Sequence, residues 1–152
     1  MKKFIFFLFL SITSYAQTTF SYLELKKYVD GTQGEFTVAI KAKGFTYSSS
    51  EDSYVSYKKD HSSLIFTKFS SGRSGLTLYG KKYEYISNNI LNSVKKIGYK
   101  EIESQNIDGL GFCTTYKSTN YTIYFCDNII EYDNGSTEPI YMVTMDKNEN
   151  LE

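Results

Sequence analysis

Few residues of this chain have the types and spacing that chemistry requires, and the two cysteines, Cys113 and Cys126, are the clearest of them. The segment 111–126 is rich in β-branched and aromatic residues on both sides of Thr119-Asn120, which predicts a β-hairpin with a two-residue turn. The register of that turn places Cys113 directly opposite Cys126, close enough for a disulfide. Two buried thiols and a metal pair are the rival interpretations. A CxxC spacing is absent and His61, the only histidine, is distant in sequence, so the residues favour the disulfide over zinc.

The other candidate catalytic and metal-binding residues are more simply explained as solvated turn or edge-strand residues. His61 falls at a predicted hairpin tip without an evident catalytic partner, which is typical of a solvated turn residue. Glu101 and Glu103 share a predicted strand face, where two carboxylates could act as acid and base, but edge strands also carry such charges. Four further short strings are weak candidates. The Ser-x-x-Lys matches at 56–59 and 93–96 could belong to an acylating enzyme, and the turn sequences at 127–128 and 133–136 could ligate calcium. They lack the companion motifs of penicillin-binding enzymes and the spacing of an EF-hand, so we expect no catalysis, no metal and no cofactor.

Composition favours a globular, sheet-rich chain. The sequence has 152 residues with 41% hydrophobic, 22% charged and 17% aromatic content and a single proline. Its formal net charge is zero, so no basic excess exists to neutralise phosphates and nucleic-acid binding is disfavoured.

The first 16 residues have the pattern of a signal peptide. Lys2 and Lys3 form a positive start, 4–12 form a short apolar run, and Ser14-Tyr15-Ala16 forms a cleavage site. We expect cleavage after Ala16 and export to the periplasm or the extracellular space, with a retained N-terminal anchor as the alternative. No later segment is long and apolar enough to span a membrane.

Residues 17–146 are predicted to form one α+β domain, followed by a polar tail at 147–152. Helices are expected at 19–30, 36–43 and 83–97, the last with the strongest apolar spacing. Strands are expected at 45–49, 53–59, 63–70, 76–79, 99–104, in the cysteine hairpin with an extension to 132, and at 140–145. Such segments are best buried as one antiparallel sheet with the helices packed on one face.

The two halves of the domain, 19–79 and 83–146, share the same order of helix, glycine and strand signals. Ala39-Ile40-Lys41 followed by Gly44-Phe45 matches Ser93-Val94-Lys95 followed by Gly98-Tyr99. Each half reads as helix, helix-ending glycine and then strands, which indicates an internal repeat. The alternative is that any two α+β units share such helix–glycine–aromatic signals without a duplication.

Two helix-plus-antiparallel-sheet units in a small exported chain resemble the architecture of β-lactamase inhibitor protein and its relatives. The resemblance rests on the glycine-aromatic helix ends at Gly44-Phe45 and Gly98-Tyr99 and on the strand order across 22–145. No sequence motif of that family is present, so no residue role is carried over. The resemblance implies an open sheet face presented to a protein partner.

A candidate binding face follows from the alternation of the strands. Aligning the first half with the cysteine hairpin turns Val55, Tyr57, Ile65, Thr67 and Phe69 toward the helices. The opposite face then carries the candidate binding residues Tyr54, Lys58, Leu64, Phe66, Lys117 and Tyr124. Large aromatic side chains there suit recognition of a protein or a saccharide, although they could equally pack against one another.

The leading hypothesis is therefore an exported, non-enzymatic binding module of the inhibitor, immunity or envelope accessory type. One alternative is an envelope hydrolase, which requires a polar cleft joining Glu101 or Glu103 to another perturbed acid. The other is a structural or adhesive subunit that associates through an edge strand near 140–145.

Overall fold

The computed structural model describes residues 19–148 and contains three α-helices. They are α1 (Tyr22–Asp30), α2 (Gln33–Ala42) and α3 (Glu84–Lys96), the last preceded by a short 3-10 turn, Lys81–Tyr83. Both α1 and α2 begin with a reciprocal capping box, Ser21 with Glu24 and Thr32 with Glu35, which satisfies backbone N–H groups that the first turn leaves free. The predicted signal peptide and the end of the polar tail lie outside the described residues.

Eight strands form one antiparallel sheet. The strands are β1 (Thr46–Glu51), β2 (Tyr54–Lys59), β3 (Leu64–Phe69), β4 (Ser74–Tyr79), β5 (Lys100–Ile107), β6 (Gly111–Lys117), β7 (Tyr121–Glu131) and β8 (Thr137–Lys147). Their order across the sheet is β1-β2-β3-β4-β8-β7-β6-β5. The fold class is thus α+β, as predicted, while the internal repeat stays a prediction.

The last strand lies in the middle of the sheet. β8 pairs with β4 on one side and β7 on the other, and it continues through Lys147, beyond the predicted end at residue 145. The expectation that 140–145 forms an exposed edge was therefore wrong. The two edges are β1 and β5. A strand order set by long-range pairing is not encoded in the local pattern that identified the strand.

The cysteine hairpin has the predicted register. Cys113 pairs with Cys126 and the two form a disulfide. Tyr116 pairs with Ile123, and both are buried in the core beside the helices. The inner and outer rows predicted for this hairpin are confirmed in the stretch from Cys113 to Cys126, although Phe112 in the inner row is 50% exposed.

The first-half hairpin differs from its prediction by one residue in β3. Tyr57 pairs with Phe66, so Phe66 and Leu64 face the helices and both are 0% exposed. The assignment of Leu64 and Phe66 to the binding face was therefore wrong, and Ile65, not Phe66, shares the opposite face. A shift of one residue turns every side chain of a strand to the other side of the sheet.

The core lies between the helices and one face of the sheet, and aromatic rings dominate its first-half portion. Phe66 contacts Phe20, Tyr28 and Phe36, with ring centroids 5.2 to 5.5 Å apart. Lys68 belongs to the same inward row and is 5% exposed. Its Nζ donates to the carbonyl oxygens of Tyr28 and Val29 at the end of α1, at 2.6 and 3.0 Å. A buried cation thus satisfies helix-end carbonyl groups that have no partner within α1.

Candidate binding face of the sheet

We call the sheet surface turned away from the helices the outer face. Residues paired in register project to the same side of an antiparallel sheet, so the pairing assigns each side chain to a face. Tyr54, Lys58, Lys117 and Tyr124 lie on the outer face, as predicted. Ile65, Thr67 and Phe69 join them, although the sequence placed these three beside the helices.

One end of the outer face contains an apolar concavity of about 270 Å³. It is lined by Arg73, Ile107, Leu110, Tyr124, Cys126, Met142 and Thr144. Leu110, from the turn between β5 and β6, is 42% exposed. The disulfide forms part of the wall through Cys126, so it cross-links β6 and β7 directly at this concavity.

A second concavity, of about 310 Å³, lies at the other end of the outer face and is rich in hydroxyl groups. It is lined by Ser48, Ser49, Tyr54, Ser56, Ile65, Thr67 and Phe69. The hydroxyls of Ser56 and Thr67 are hydrogen-bonded at 2.7 Å, and the rings of Tyr54 and Phe69 lie 6.1 Å apart. We call this the hydroxyl concavity.

Along one row of the sheet, a single residue, Gly75, separates the two concavities. Thr67 of the hydroxyl concavity pairs with Gly75, and Gly75 pairs with Thr144 of the apolar concavity. Because Gly75 has no side chain, the outer row has a gap between the two threonines. A Cβ atom at position 75 would lie 3.2 Å from the Thr144 hydroxyl, so a larger residue would crowd this junction.

An ion pair borders the apolar concavity. Arg73 Nε donates to Asp146 Oδ1 at 2.6 Å, and this hydrogen bond raises the pKa of the Arg73 guanidinium. Arg73 therefore presents a fixed positive charge beside an apolar wall. Lys58 and Lys117 add positive charge on the same face.

The sequence candidates for catalysis are not brought together. The Glu101 carboxylate accepts a hydrogen bond from the Tyr116 hydroxyl at 3.0 Å. A bulge between Glu101 and Glu103 inserts one residue, so Glu101 pairs with the inward Tyr116 and Glu103 with the outward Thr115. The expectation that the two glutamates share a strand face was therefore wrong.

The remaining candidates have structural roles or solvent exposure. Ser56 bonds to Thr67 on the outer face, whereas Lys59 donates to the carbonyl of Lys43, so they form no Ser–Lys pair. His61 is exposed in the four-residue loop between β2 and β3. The Asn134 side chain accepts hydrogen bonds from Ser136, a turn interaction.

Sequence reasoning missed a cavity on the helix side of the sheet, which we call the α3 cavity. It has a volume of about 120 Å³. It is lined by Glu84, Ser87, Asn88 and Leu91 of α3 and by Thr114, Tyr116, Phe125, Asp127 and Tyr141 of the strands. Two patterns could have indicated it: the helical spacing of 84, 87, 88 and 91, and the position of Asp127 in the inward row of Ile123 and Phe125.

Comparison of this chain with protein-family models, with curated proteins and with solved structures finds no match. Within residues 19–148, no helix has the length and apolar character needed to cross a membrane. Among these described residues, no group of three or more His, Cys, Asp or Glu side chains is placed to hold a metal ion.

Proposed function

We propose that this protein is a non-enzymatic binding module that recognises a protein partner through its outer face. The observation that carries the proposal is the pair of adjoining concavities on a sheet face to which no described helix contributes a lining residue. All described helices contribute their buried residues to the core on the other side. A sheet face that served only as a solvated surface would not need aromatic and aliphatic residues arranged around such hollows.

The lining of the apolar concavity favours a protein partner over a saccharide. Ile107, Leu110 and Met142 offer aliphatic surface, and Arg73 adds a charged group held by Asp146. Aromatic residues, Met and Arg are the side chains enriched at protein interfaces. None of the residues that line this concavity carries a carboxylate or a side-chain amide with which to bind sugar hydroxyls. We therefore infer that an apolar side chain of a partner protein enters the apolar concavity.

Export forms part of the proposal. The sequence of residues 1–16 has the features of a signal peptide, and the disulfide fits an oxidising compartment such as the periplasm or the extracellular space. The partner is then expected in the same compartment. An inhibitor, an immunity factor and an envelope accessory protein would each use such a face.

Affinity capture with matched surface variants tests the proposal. The bait is the oxidised chain from Gln17, applied to envelope and culture fractions. Leu110→Asp places a charge in the apolar concavity, and Leu23→Asp is the control because Leu23 is 71% exposed on α1. We expect Leu110→Asp and Tyr124→Ala to lose a partner that the wild-type chain and Leu23→Asp retain.

Treatment of the fractions identifies the class of partner. Protease digestion should abolish capture, whereas periodate oxidation of glycans should not. Capture that resists protease and is lost with periodate would overturn the proposal in favour of a saccharide. Self-association of the bait through β1 or β5, detected by sedimentation at increasing concentration, would instead support the adhesive alternative.

A further inference from the structure

We propose that the α3 cavity binds a compact organic cation, a primary ammonium or a guanidinium group. The cavity joins three aromatic rings, two carboxylates and a serine hydroxyl in one small space. It lies on the helix side of the sheet, so the inference does not depend on the function proposed for the outer face.

Aromatic side chains form much of the strand wall. Tyr116 and Phe125 are buried and lie edge to face, with ring centroids 5.7 Å apart, and Tyr141 is half-buried. Ring faces attract cations through their quadrupoles, and the attraction strengthens when water is excluded. A cavity of about 120 Å³ holds roughly four water molecules at liquid density. It therefore accepts an ammonium or guanidinium group but not a large ring system.

Two carboxylates supply the negative charge. Asp127 on β7 and Glu84 at the start of α3 both line the cavity, and no ion pair within residues 19–148 includes either of them. Asp127 is exposed to solvent, but partial desolvation of its carboxyl group, followed by the negative charge of Glu84, raises its pKa above the usual value. Two neighbouring carboxylates without a cation are an unfavourable arrangement that a bound cation would relieve.

The Ser87 hydroxyl adds a polar group to the cavity lining. Ser87 is 7% exposed and lines the cavity. Its side chain makes no hydrogen bond within the described part of the chain, whereas Ser93 on the same helix donates to the carbonyl of Asn89. The Ser87 hydroxyl is therefore available to accept a hydrogen bond from an N–H donor in the cavity.

Lys95 contacts the Tyr116 ring but forms no ion pair with Asp127 or Glu84 within residues 19–148. Lys95 Nζ lies 5.6 Å from the centre of the Tyr116 ring, and the Tyr116 hydroxyl donates to Glu101 rather than to Asp127 or Glu84. Lys95 and Glu101 therefore both lie near the Tyr116 hydroxyl. The Asp127 and Glu84 side is left for a ligand.

The experiment is an NMR titration of the oxidised chain from Gln17 with n-propylammonium and n-propylguanidinium chloride. Propanol is the neutral counterpart, and sodium chloride matches the ionic strength. We expect the amide resonances of residues that line the α3 cavity to shift saturably with either cation and not with propanol. Nα-acetyl-lysine methylamide and Nα-acetyl-arginine methylamide distinguish a side-chain ligand from a free amine.

Matched variants locate the site. Asp127→Asn and Glu84→Gln each remove one charge at constant size and should weaken binding about tenfold or more. Glu103→Gln removes the same charge on the outer face and should leave the affinity unchanged. Ser87→Leu fills the cavity and should abolish binding. The inference is overturned if propanol shifts the same resonances equally, if no saturable shift occurs with either cation, or if Glu103→Gln weakens binding as much as Asp127→Asn.

Discussion

Tyr57 of β2 lies directly opposite Phe66 of β3, and both rings are buried against the helices. This pairing decides which face of the first-half sheet is core and which is open. It places Phe69 on the outer face with Tyr54, three residues along the same strand from Phe66.

Replacement of these two phenylalanines should therefore have unequal effects. Phe66→Ala creates a cavity among Phe20, Tyr28 and Phe36 and should lower the free energy of unfolding by about 3–5 kcal/mol. Phe69→Ala removes a half-buried ring and should lower it by roughly 1 kcal/mol. Urea unfolding followed by circular dichroism measures both, and equal losses would contradict the assigned faces.

Lys68 should be important for stability despite its charge. Its Nζ donates to the carbonyls of Tyr28, Val29 and Gly72, and burial lowers its pKa. Lys68→Met keeps the aliphatic length but leaves these carbonyls without a donor, so we expect a loss of about 2 kcal/mol or more. Lys58→Met, on the outer face, is the matched control and should change the unfolding free energy little.

The contact between Asp30 and Tyr121 should make stability depend on acid pH. The Tyr121 hydroxyl lies 2.6 and 2.7 Å from the two Asp30 carboxylate oxygens and donates to them, and Lys26 donates to the same carboxylate. Partial burial acts to raise the pKa of Asp30, but the hydrogen bonds from Lys26 and Tyr121 outweigh it and lower the pKa below its usual value.

Because the pKa is lower in the folded state, the stabilising contribution of Asp30 is complete above the unfolded-state pKa of about 3.9. It is lost as the pH falls through the folded-state value. Melting temperatures measured from pH 6 downward should therefore fall more steeply for the wild-type chain than for Asp30→Asn. Parallel curves for the two proteins would show that this carboxylate does not contribute.

The disulfide should stabilise the second half of the sheet. Cys113 and Cys126 are separated by 13 positions, so the bridge closes a short loop and should contribute roughly 2–3 kcal/mol. The double variant Cys113→Ala/Cys126→Ala should show that loss in urea unfolding. The reductant dithiothreitol should destabilise the wild-type chain but not the variant, and an equal response of both would mean that reduction acts elsewhere.

The sequence specified local structure well. Helix-ending glycines, apolar helical spacing and the alternation around Thr119-Asn120 depend on nearby residues. These predictions agree with the structure in the three helices and in the register of Cys113 with Cys126. The alternation in β3 was harder to interpret. Leu64 and Phe66 alternate with Ile65 and Phe69, so both rows are apolar, and the inward row contains Lys68, whose partners come from α1.

Other features depend on distant parts of the chain. The central position of β8 arises from its pairing with β4, which is remote in sequence. The bulge between Glu101 and Glu103 separates two side chains that strict alternation would place together. The α3 cavity requires a helix and three strands to meet, so its carboxylates appeared unrelated in the sequence.

The most direct test of the outer face as a binding surface is site-specific photo-cross-linking in the native compartment. A benzoylphenylalanine replaces Tyr124 on the outer face in one sample and Leu23 on α1 in the other. The proposal predicts a covalent adduct with one protein partner from position 124 and none from position 23. Adducts from position 23 alone, or the same adducts from both positions, would contradict it.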